Sequence, residues 1–167
     1  MSATGTELNA VRLVRAQRWA ALATLTDEGP SASMVAYAAE PDLSSLLLFL
    51  SGLSEHTRNL VNEPRVSLVI SETDSGEGDP QTLPRLSVKG AAQVVDRKSP
   101  EFEEAWRTYV TRLPAAGPRI VLGDFSLFRV AIASAHYVGG FAQAGTIPPE
   151  RLAAAAAELD SAATAEA

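Results

Sequence analysis

Apolar and polar residues alternate in short runs over most of the chain, and this is the pattern of half-buried β-strands. Turn residues such as those of Asp27-Glu28-Gly29-Pro30 separate the runs. Gly90 interrupts the fifth run, where we expect a β-bulge. The pattern predicts seven strands, namely Trp19–Thr26, Ser31–Ala38, Leu46–Ser51, Arg65–Ser71, Leu86–Val95, Phe125–Ile132 and His136–Phe141.

Apolar residues at helical spacing predict three helices between these strands. The first is Glu7–Gln17, and the second is the short segment Ser54–Leu60. The third begins at Ser99-Pro100, because serine is a good helix cap and proline is favoured at the first helical position. Pro114 ends this third helix.

The C-terminal segment Glu150–Ala167 is rich in alanine and has a high helix propensity. Leu152 and Leu159 are its only large apolar residues, so we expect this helix to pack weakly or to fray. We therefore divide the chain into a barrel domain, residues 1–145, and a helical tail, residues 146–167. Strands joined by turn-length links favour an α+β fold, a small antiparallel barrel covered by two or three helices.

Composition excludes several classes of function. The chain has 167 residues, a formal net charge of −6 and no arginine- or lysine-rich face, which argues against nonspecific binding of nucleic acid. It has no cysteine and only two histidines, so disulfides and histidine-rich metal sites are excluded. No apolar run approaches the roughly 20 residues that a membrane span needs, and we expect a cytoplasmic protein.

The segment that follows the third predicted strand has the chemistry to bind an anion. Ser54 is a plausible cap, and His56, Thr57 and Arg58 place donor groups in the first turn of the helix. The leading amides of a helix lack internal partners and carry partial positive charge, so a phosphate can dock there. A capped surface helix with solvated side chains is the commoner occurrence of such a pattern.

Other motifs carry less information. The chain has no nucleotide-binding glycine fingerprint and no phosphate-binding loop. His56 lies beside Glu55, which is a poor geometry for an orienting pair, so a hydrolase triad is disfavoured. Gly139-Gly140 allows close approach of a backbone or a flat ligand, although a bulge or turn is the commoner explanation of such a pair. Arg85 and Lys89 could reach an anion, but solvated strand residues are commoner.

Three motifs together resemble the pyridoxamine 5′-phosphate oxidase-like superfamily, the FMN-binding split barrel, and within it the haem-utilisation (HugZ/HutZ-like) group. The longest is the strand, turn and helix that run from Phe49 to Leu68. The others are Leu83-Pro84-Arg85-Leu86 and Tyr137–Phe141. The resemblance covers about residues 8 to 145. It implies a mainly β fold with α (α+β), a split β-barrel of six to seven antiparallel strands with two to three covering helices.

The resemblance also implies a homodimer with two FMN molecules at the subunit interface. Residues on three segments would then contact the cofactor. They are Ser33, Met34, Val35 and Ala36 along the flavin ring, Ser51, His56, Thr57 and Arg58 around the phosphate, and Gly140, Phe141 and Ala142 near the ring. His56 stands where the oxidase proper has a phosphate-binding lysine. No metal ligand is implied, except His136 if haem is bound.

The chain departs from the family at several points. The second strand carries no basic residue, and the oxidase's C-terminal Trp/Arg/His substrate cluster is missing, so we do not expect oxidation of pyridoxamine phosphate. The tail after Gly145 has no histidine to serve as the haem ligand of haem-degrading relatives. Three hypotheses follow: an FMN-dependent oxidoreductase with a small-molecule redox partner, a haem-binding or haem-degrading protein, and a split barrel without a cofactor that acts as a binding module.

Overall fold

A computed structural model describes residues 2–140 and 143–165 of the chain. Its elements follow in chain order: α1 Gly5–Ala16, β1 Trp19–Thr26, β2 Gly29–Ala36, β3 Ala38–Ala39, β4 Ser45–Ser51, α2 Glu55–Asn62, β5 Arg65–Ser71, β6 Arg85–Val94, α3 Pro100–Arg112, β7 Phe125–Val138, β8 Ala144–Ile147 and α4 Pro149–Ala165. Short 3-10 helices occupy Pro80–Thr82 and Pro114–Val121.

The strands form one antiparallel sheet in the order β2-β1-β5-β6-β7-β4-β3, and β8 pairs with the C-terminal half of β7. The predicted α+β split barrel is confirmed. Within the described residues the sheet has eight strands rather than six or seven. The additional elements are the two-residue β3 and the four-residue β8, both too short to produce a recognisable alternation in the sequence.

The prediction of separate sixth and seventh strands is wrong, because β7 continues unbroken from Phe125 to Val138. Val130 and Ile132 point into the barrel in its first half, whereas Ala135 and Tyr137 do so in its second half. This change of parity interrupts the two-residue period that identifies a strand in the sequence. One strand therefore has the pattern of two.

The change of parity comes from the β-bulge predicted at Gly90. Lys89 pairs with Ser134 but Gly90 pairs with Ile132, so Ala133 is the extra residue on β7. A Cβ atom on Gly90 would lie 2.2 Å from the carbonyl oxygen of Ala131. Glycine is thus the residue that allows the two strands to approach so closely here.

Apolar side chains from both halves of the sheet fill the barrel, and α1 closes one side of this core. Phe102, Ala105 and Tyr109 of α3 cover the outer surface of β4 instead, where they pack against Leu47 and Phe49. Helices α1 and α3, both predicted from their apolar spacing, thus pack on opposite sides of the sheet. None of the helices in the described ranges is long and apolar enough to span a membrane.

Helix α4 packs firmly on α1, contrary to the expectation of weak packing. Leu152, Ala155 and Ala156 are completely buried. The small alanine side chains let the two helices approach closely, and ion pairs join Arg151 to Glu7 at 2.6 Å and Arg15 to Asp160 at 2.7 Å. The largest effect on Glu7 is the Arg151 hydrogen bond, which lowers its pKa from 4.5 to about 2.

The outer surface of β1, β2 and β5 is exposed to solvent. Trp19 and Met34 are 54% and 47% exposed there, and Leu25 and Val69 are each 39% exposed. A depression of about 600 Å³ with predominantly apolar walls runs from this surface across β6 to β7. We call the outer surface of these three strands the open face. Apolar side chains grouped in this way are typical of a surface that another molecule covers.

Candidate functional site

Helix α2 begins without a side-chain cap. Ser54 occupies the cap position in an extended conformation, but its hydroxyl makes no capping hydrogen bond. The amide of Arg58, which donates to the carbonyl of Ser54 at 3.3 Å, makes the first bond of the helix. The amides of residues 55–57 therefore have no partner within the helix and form a positive end.

Thr57 and Arg58 supply further donors beside this helix end. The Thr57 side chain is 4% exposed, and its hydroxyl has no hydrogen-bond partner in the described part of the chain. Arg58 is exposed and donates one N–H to the carbonyl of Leu53 at 2.8 Å. Both residues line a depression of about 270 Å³, together with Gly52, Val61 and Asn62. This set of donors suits an oxygen-rich anion.

His56 connects the same helix turn to β2. Its Nδ1 lies 3.0 Å from the Ser33 hydroxyl, which points into the barrel on the same side as the buried Val35. Burial lowers the pKa of His56 below its usual 6.5, and the neighbouring Glu55 carboxylate offsets only part of this effect. His56 is therefore mostly neutral at pH 7.

A buried hydrogen bond fixes the position of α2 on the sheet. The side-chain amide of Asn59 donates to the hydroxyl of Thr24 on β1 at 3.0 Å. Both side chains are largely inaccessible to solvent. A bond of this kind is costly to break when buried, so it holds the first turn of α2 in a constant relation to β1 and β2.

Asp124 belongs to the site although nothing in the sequence indicated it. The Ser51 hydroxyl donates to its carboxylate at 2.5 Å, and the amide of Gly52 donates to its backbone carbonyl at 2.6 Å. The Ser51 hydroxyl, predicted to contact a phosphate, is thus directed toward a carboxylate. Asp124 and Glu55 place two negative charges near the start of α2, against the single positive charge of Arg58.

The four residues of β2 that were predicted to lie along the flavin ring do not point to the same side of the strand. Ser33 and Val35 point inward, Met34 is exposed on the open face and Ala36 is half-buried. Strand β2 pairs only with β1 in the described residues, so its other edge has free backbone groups. A ligand along this edge would meet backbone N–H and C=O groups as well as side chains.

Gly140 is not brought to this helix end. It has a φ of +99° and lies next to the loop carbonyl of Thr82, beyond the end of β7. Ser51, which precedes α2, pairs with Phe125 at the start of β7, whereas Gly140 follows Val138 at the opposite end of this 14-residue strand. Phe141 and Ala142 lie outside the described residues. In the described part of the chain, the predicted site residues therefore form two separate groups.

The second histidine lies away from α2. His136 is exposed on β7, and its Nδ1 is 3.3 Å from the hydroxyl of Thr146 on β8. No cluster of three or more histidine, aspartate or glutamate side chains suited to a metal ion occurs in residues 2–140 and 143–165.

Comparison with known proteins places the chain in a family. The family model described as pyridoxamine 5′-phosphate oxidase matches residues 7–139. The chain is 34% identical over 116 residues to the non-canonical haem oxygenase HOZ of Arabidopsis thaliana chloroplasts, a match that covers 69% of this chain and 33% of the plant protein. The chain thus corresponds to about a third of that protein's length.

Solved structures agree with this assignment. A haem-binding protein of Mycobacterium smegmatis superposes with a TM-score of 0.81 at 28% identity, covering 92% of this chain and 62% of that one. HutZ of Vibrio cholerae, described as a haem storage protein, gives 0.68 at 22% identity and covers 78% of this chain and 90% of its own, a likeness of fold alone. The chain is a split-barrel member of the pyridoxamine 5′-phosphate oxidase family, with relatives in haem utilisation.

Proposed function

We propose that the protein is a flavin oxidoreductase that holds the phosphate of FMN at the start of α2. The observation that supports this most strongly is the set of unsatisfied donors at one helix end: the uncapped amides of residues 55–57, the buried hydroxyl of Thr57 and the guanidinium of Arg58. A phosphate would pair with the helix-end amides and the guanidinium at once, and the Thr57 side chain would have to turn toward the site to join them. The redox partner is a small molecule whose identity is open.

The protein's part in this chemistry is to bind and orient. FMN, when bound, supplies the transfer of a hydride or of electrons. Arg58 would make a forked contact with the phosphate, and the free edge of β2 would direct backbone groups toward the ring. No side chain has to act as an acid or base, since the cofactor carries the reaction.

The local charges favour modest affinity for FMN. Asp124, through its bond to Ser51, and Glu55 at the first position of α2 bring two carboxylates near the helix start. Arg58 is the one basic residue of this helix, and His56 is mostly neutral at pH 7. Strand β2 has no basic residue that could compensate. We therefore expect FMN to bind and release readily, as a cosubstrate does, rather than to remain bound through purification.

The functional unit in this proposal is a homodimer. The open face presents Trp19, Met34 and Val69 to solvent in a single protomer, and a second copy would cover them. The residues predicted to contact the cofactor fall into two groups, one around α2 and β2 and one beyond the C-terminal end of β7. A dimer with the cofactor at its interface would complete the site by placing Gly140 of the second copy beside α2 of the first.

Haem is the second candidate cofactor. Two relatives that are 34% and 28% identical to this chain are named for haem chemistry or haem binding. His136 is exposed, and its contact with Thr146 would fix the orientation of the imidazole, as hydrogen bonds do for metal-ligating histidines. In this case His136 would be the iron ligand.

The absorption spectrum separates these functions. The protein is purified, its spectrum is recorded, and it is then titrated with FMN by fluorescence quenching and with haem by the Soret band. Quenching at up to tens of micromolar FMN supports the flavin function, and its absence excludes it. A Soret band that disappears in His136→Ala would favour haem. Binding of neither would favour the cofactor-free binding module.

A further inference from the structure

The contact between Ser33 and His56 joins the two elements predicted to hold the cofactor. The hydroxyl of Ser33 and Nδ1 of His56 are 3.0 Å apart, so one hydrogen bond links β2 to the first turn of α2. A serine hydroxyl can both donate and accept, whereas an imidazole nitrogen donates only when it carries a proton. The direction of this bond therefore depends on the tautomer and the protonation state of His56.

Few charged groups surround His56. The strands β1 and β2, which pack against α2, contain no charged or other titratable residue. The charged neighbours on the same helix are Glu55 and Arg58, and Asp124 lies near the helix start through its bond to Ser51. His56 is thus the titratable group best placed to respond to an anion at this site near neutral pH.

We propose that cofactor binding at α2 is coupled to uptake of one proton by His56, with Ser33 as the group that transmits the change. This proposal rests on the FMN function proposed above. It means that the protein binds FMN more tightly as the medium becomes acidic, and that it releases FMN as the pH rises.

The two protonation states differ in the donors they offer. In the neutral form that carries its ring proton on Nε2, the Ser33 hydroxyl donates to Nδ1. When solvent delivers a proton to Nδ1, this nitrogen donates to the Ser33 oxygen instead. The Ser33 hydrogen is then free to turn toward the ligand. One proton thus adds a positive charge to the site and releases a second donor from β2.

The environment of His56 determines the direction in which the affinity for FMN changes with pH. Burial lowers its pKa in the empty site, whereas a bound phosphate would raise that pKa by favouring the charged form. Affinity for FMN should therefore rise as the pH falls through the pKa of the bound state, by up to tenfold per pH unit, and level off below the pKa of the empty site. The phosphate's own second pKa of about 6 acts in the opposite direction, so variants are needed to isolate the effect of His56.

The test measures the dissociation constant of FMN between about pH 5.5 and pH 8.5, where an unperturbed histidine titrates. The wild type is compared with His56→Gln, which keeps polarity without charge, and with His56→Lys, which keeps the charge at every pH used. His136→Gln is the control, since it removes the only other histidine. Calorimetry in buffers of different ionisation enthalpy counts the protons taken up.

We expect the ratio of the FMN affinity of the wild type to that of His56→Gln to be at least tenfold larger at the acidic end of the range than at the alkaline end. His136→Gln should behave like the wild type. His56→Lys should bind at the alkaline end at least tenfold more tightly than wild type. FMN binding with the same pH profile in wild type and His56→Gln, and without proton uptake, would overturn this inference alone. Absence of FMN binding at every pH would overturn the proposed function as well.

Discussion

The hydroxyl of Ser51 donates a hydrogen bond to the carboxylate of Asp124, with 2.5 Å between Oγ and Oδ2. The two residues lie 73 positions apart in the chain, at the end of β4 and immediately before β7. The contact directs a predicted phosphate donor toward a negative charge. It is a physical reason for expecting modest affinity for FMN.

Removing that charge should strengthen FMN binding. We predict that Asp124→Asn lowers the dissociation constant of FMN about fivefold, or about 1 kcal/mol, because one repulsive charge near the phosphate disappears. The side-chain oxygen of asparagine can still accept the Ser51 hydrogen bond, so the loop should keep its shape. The measurement is titration at low ionic strength, with the exposed Glu103→Gln as control. Equal affinities in both variants would contradict a phosphate at this position.

A charged side chain on the open face should separate the proposed dimer. Ala23 lines the apolar depression on β1, and Ala23→Arg would place a guanidinium where a second copy packs. We predict that the wild type sediments as a dimer and this variant as a monomer. The variant should also lose FMN affinity, since its site lacks the second group of residues. Glu104→Arg, exposed on α3, is the control. A monomeric wild type would contradict the proposed assembly.

The Glu7–Arg151 pair should make the protein sensitive to acid. The pKa of Glu7 is lowered from 4.5 to about 2, chiefly by the Arg151 hydrogen bond and further by the hydrogen bonds from Thr4. The stability that the Glu7 carboxylate contributes is therefore complete above pH 4.5 and is lost as the pH falls toward 2. We predict that Glu7→Gln lowers the free energy of unfolding by about 1–2 kcal/mol at neutral pH, because the half-buried guanidinium of Arg151 loses a charged partner.

Urea unfolding of wild type and Glu7→Gln over that pH range measures this effect. The difference between the two proteins should narrow steadily below pH 4.5. The exposed Glu103→Gln serves as control and should show a constant, small difference. A Glu7→Gln deficit that is independent of pH would mean that α4 is held by packing of Leu152 and its neighbouring alanines rather than by the ion pair.

Local patterns predicted most of the strands because each strand shows its own alternation. Trp19–Thr26 and Arg65–Ser71 were predicted with the bounds that the structure has, and the bulge at Gly90 was anticipated. The same bulge also caused the error at β7. Its consequence, the change of parity around Ala133, lies on the neighbouring strand, where no residue type marks it.

Contacts between distant segments could not be predicted in the same way. Alanine-rich α4 has little apolar area of its own, and its tight packing depends on pairs such as Glu7–Arg151 that are 144 residues apart. The sequence identified His56 and Arg58 through their place in a helix turn. It could not show that Ser33 would meet His56, or that Asp124 would approach Ser51, because barrel closure determines both contacts.

The most direct test of the central claim compares FMN with riboflavin, which lacks the phosphate, in wild type, Arg58→Ala and the control Arg107→Ala. Arg58 contributes a charged donor at the helix end, whereas Arg107 is exposed on α3. We predict that Arg58→Ala weakens FMN binding by about 1.5–3 kcal/mol, roughly 10- to 150-fold, and leaves riboflavin binding unchanged. Arg107→Ala should bind both like wild type. Equal affinity of the wild type for FMN and riboflavin, or an Arg58→Ala protein that binds FMN as wild type does, would contradict a phosphate site at α2.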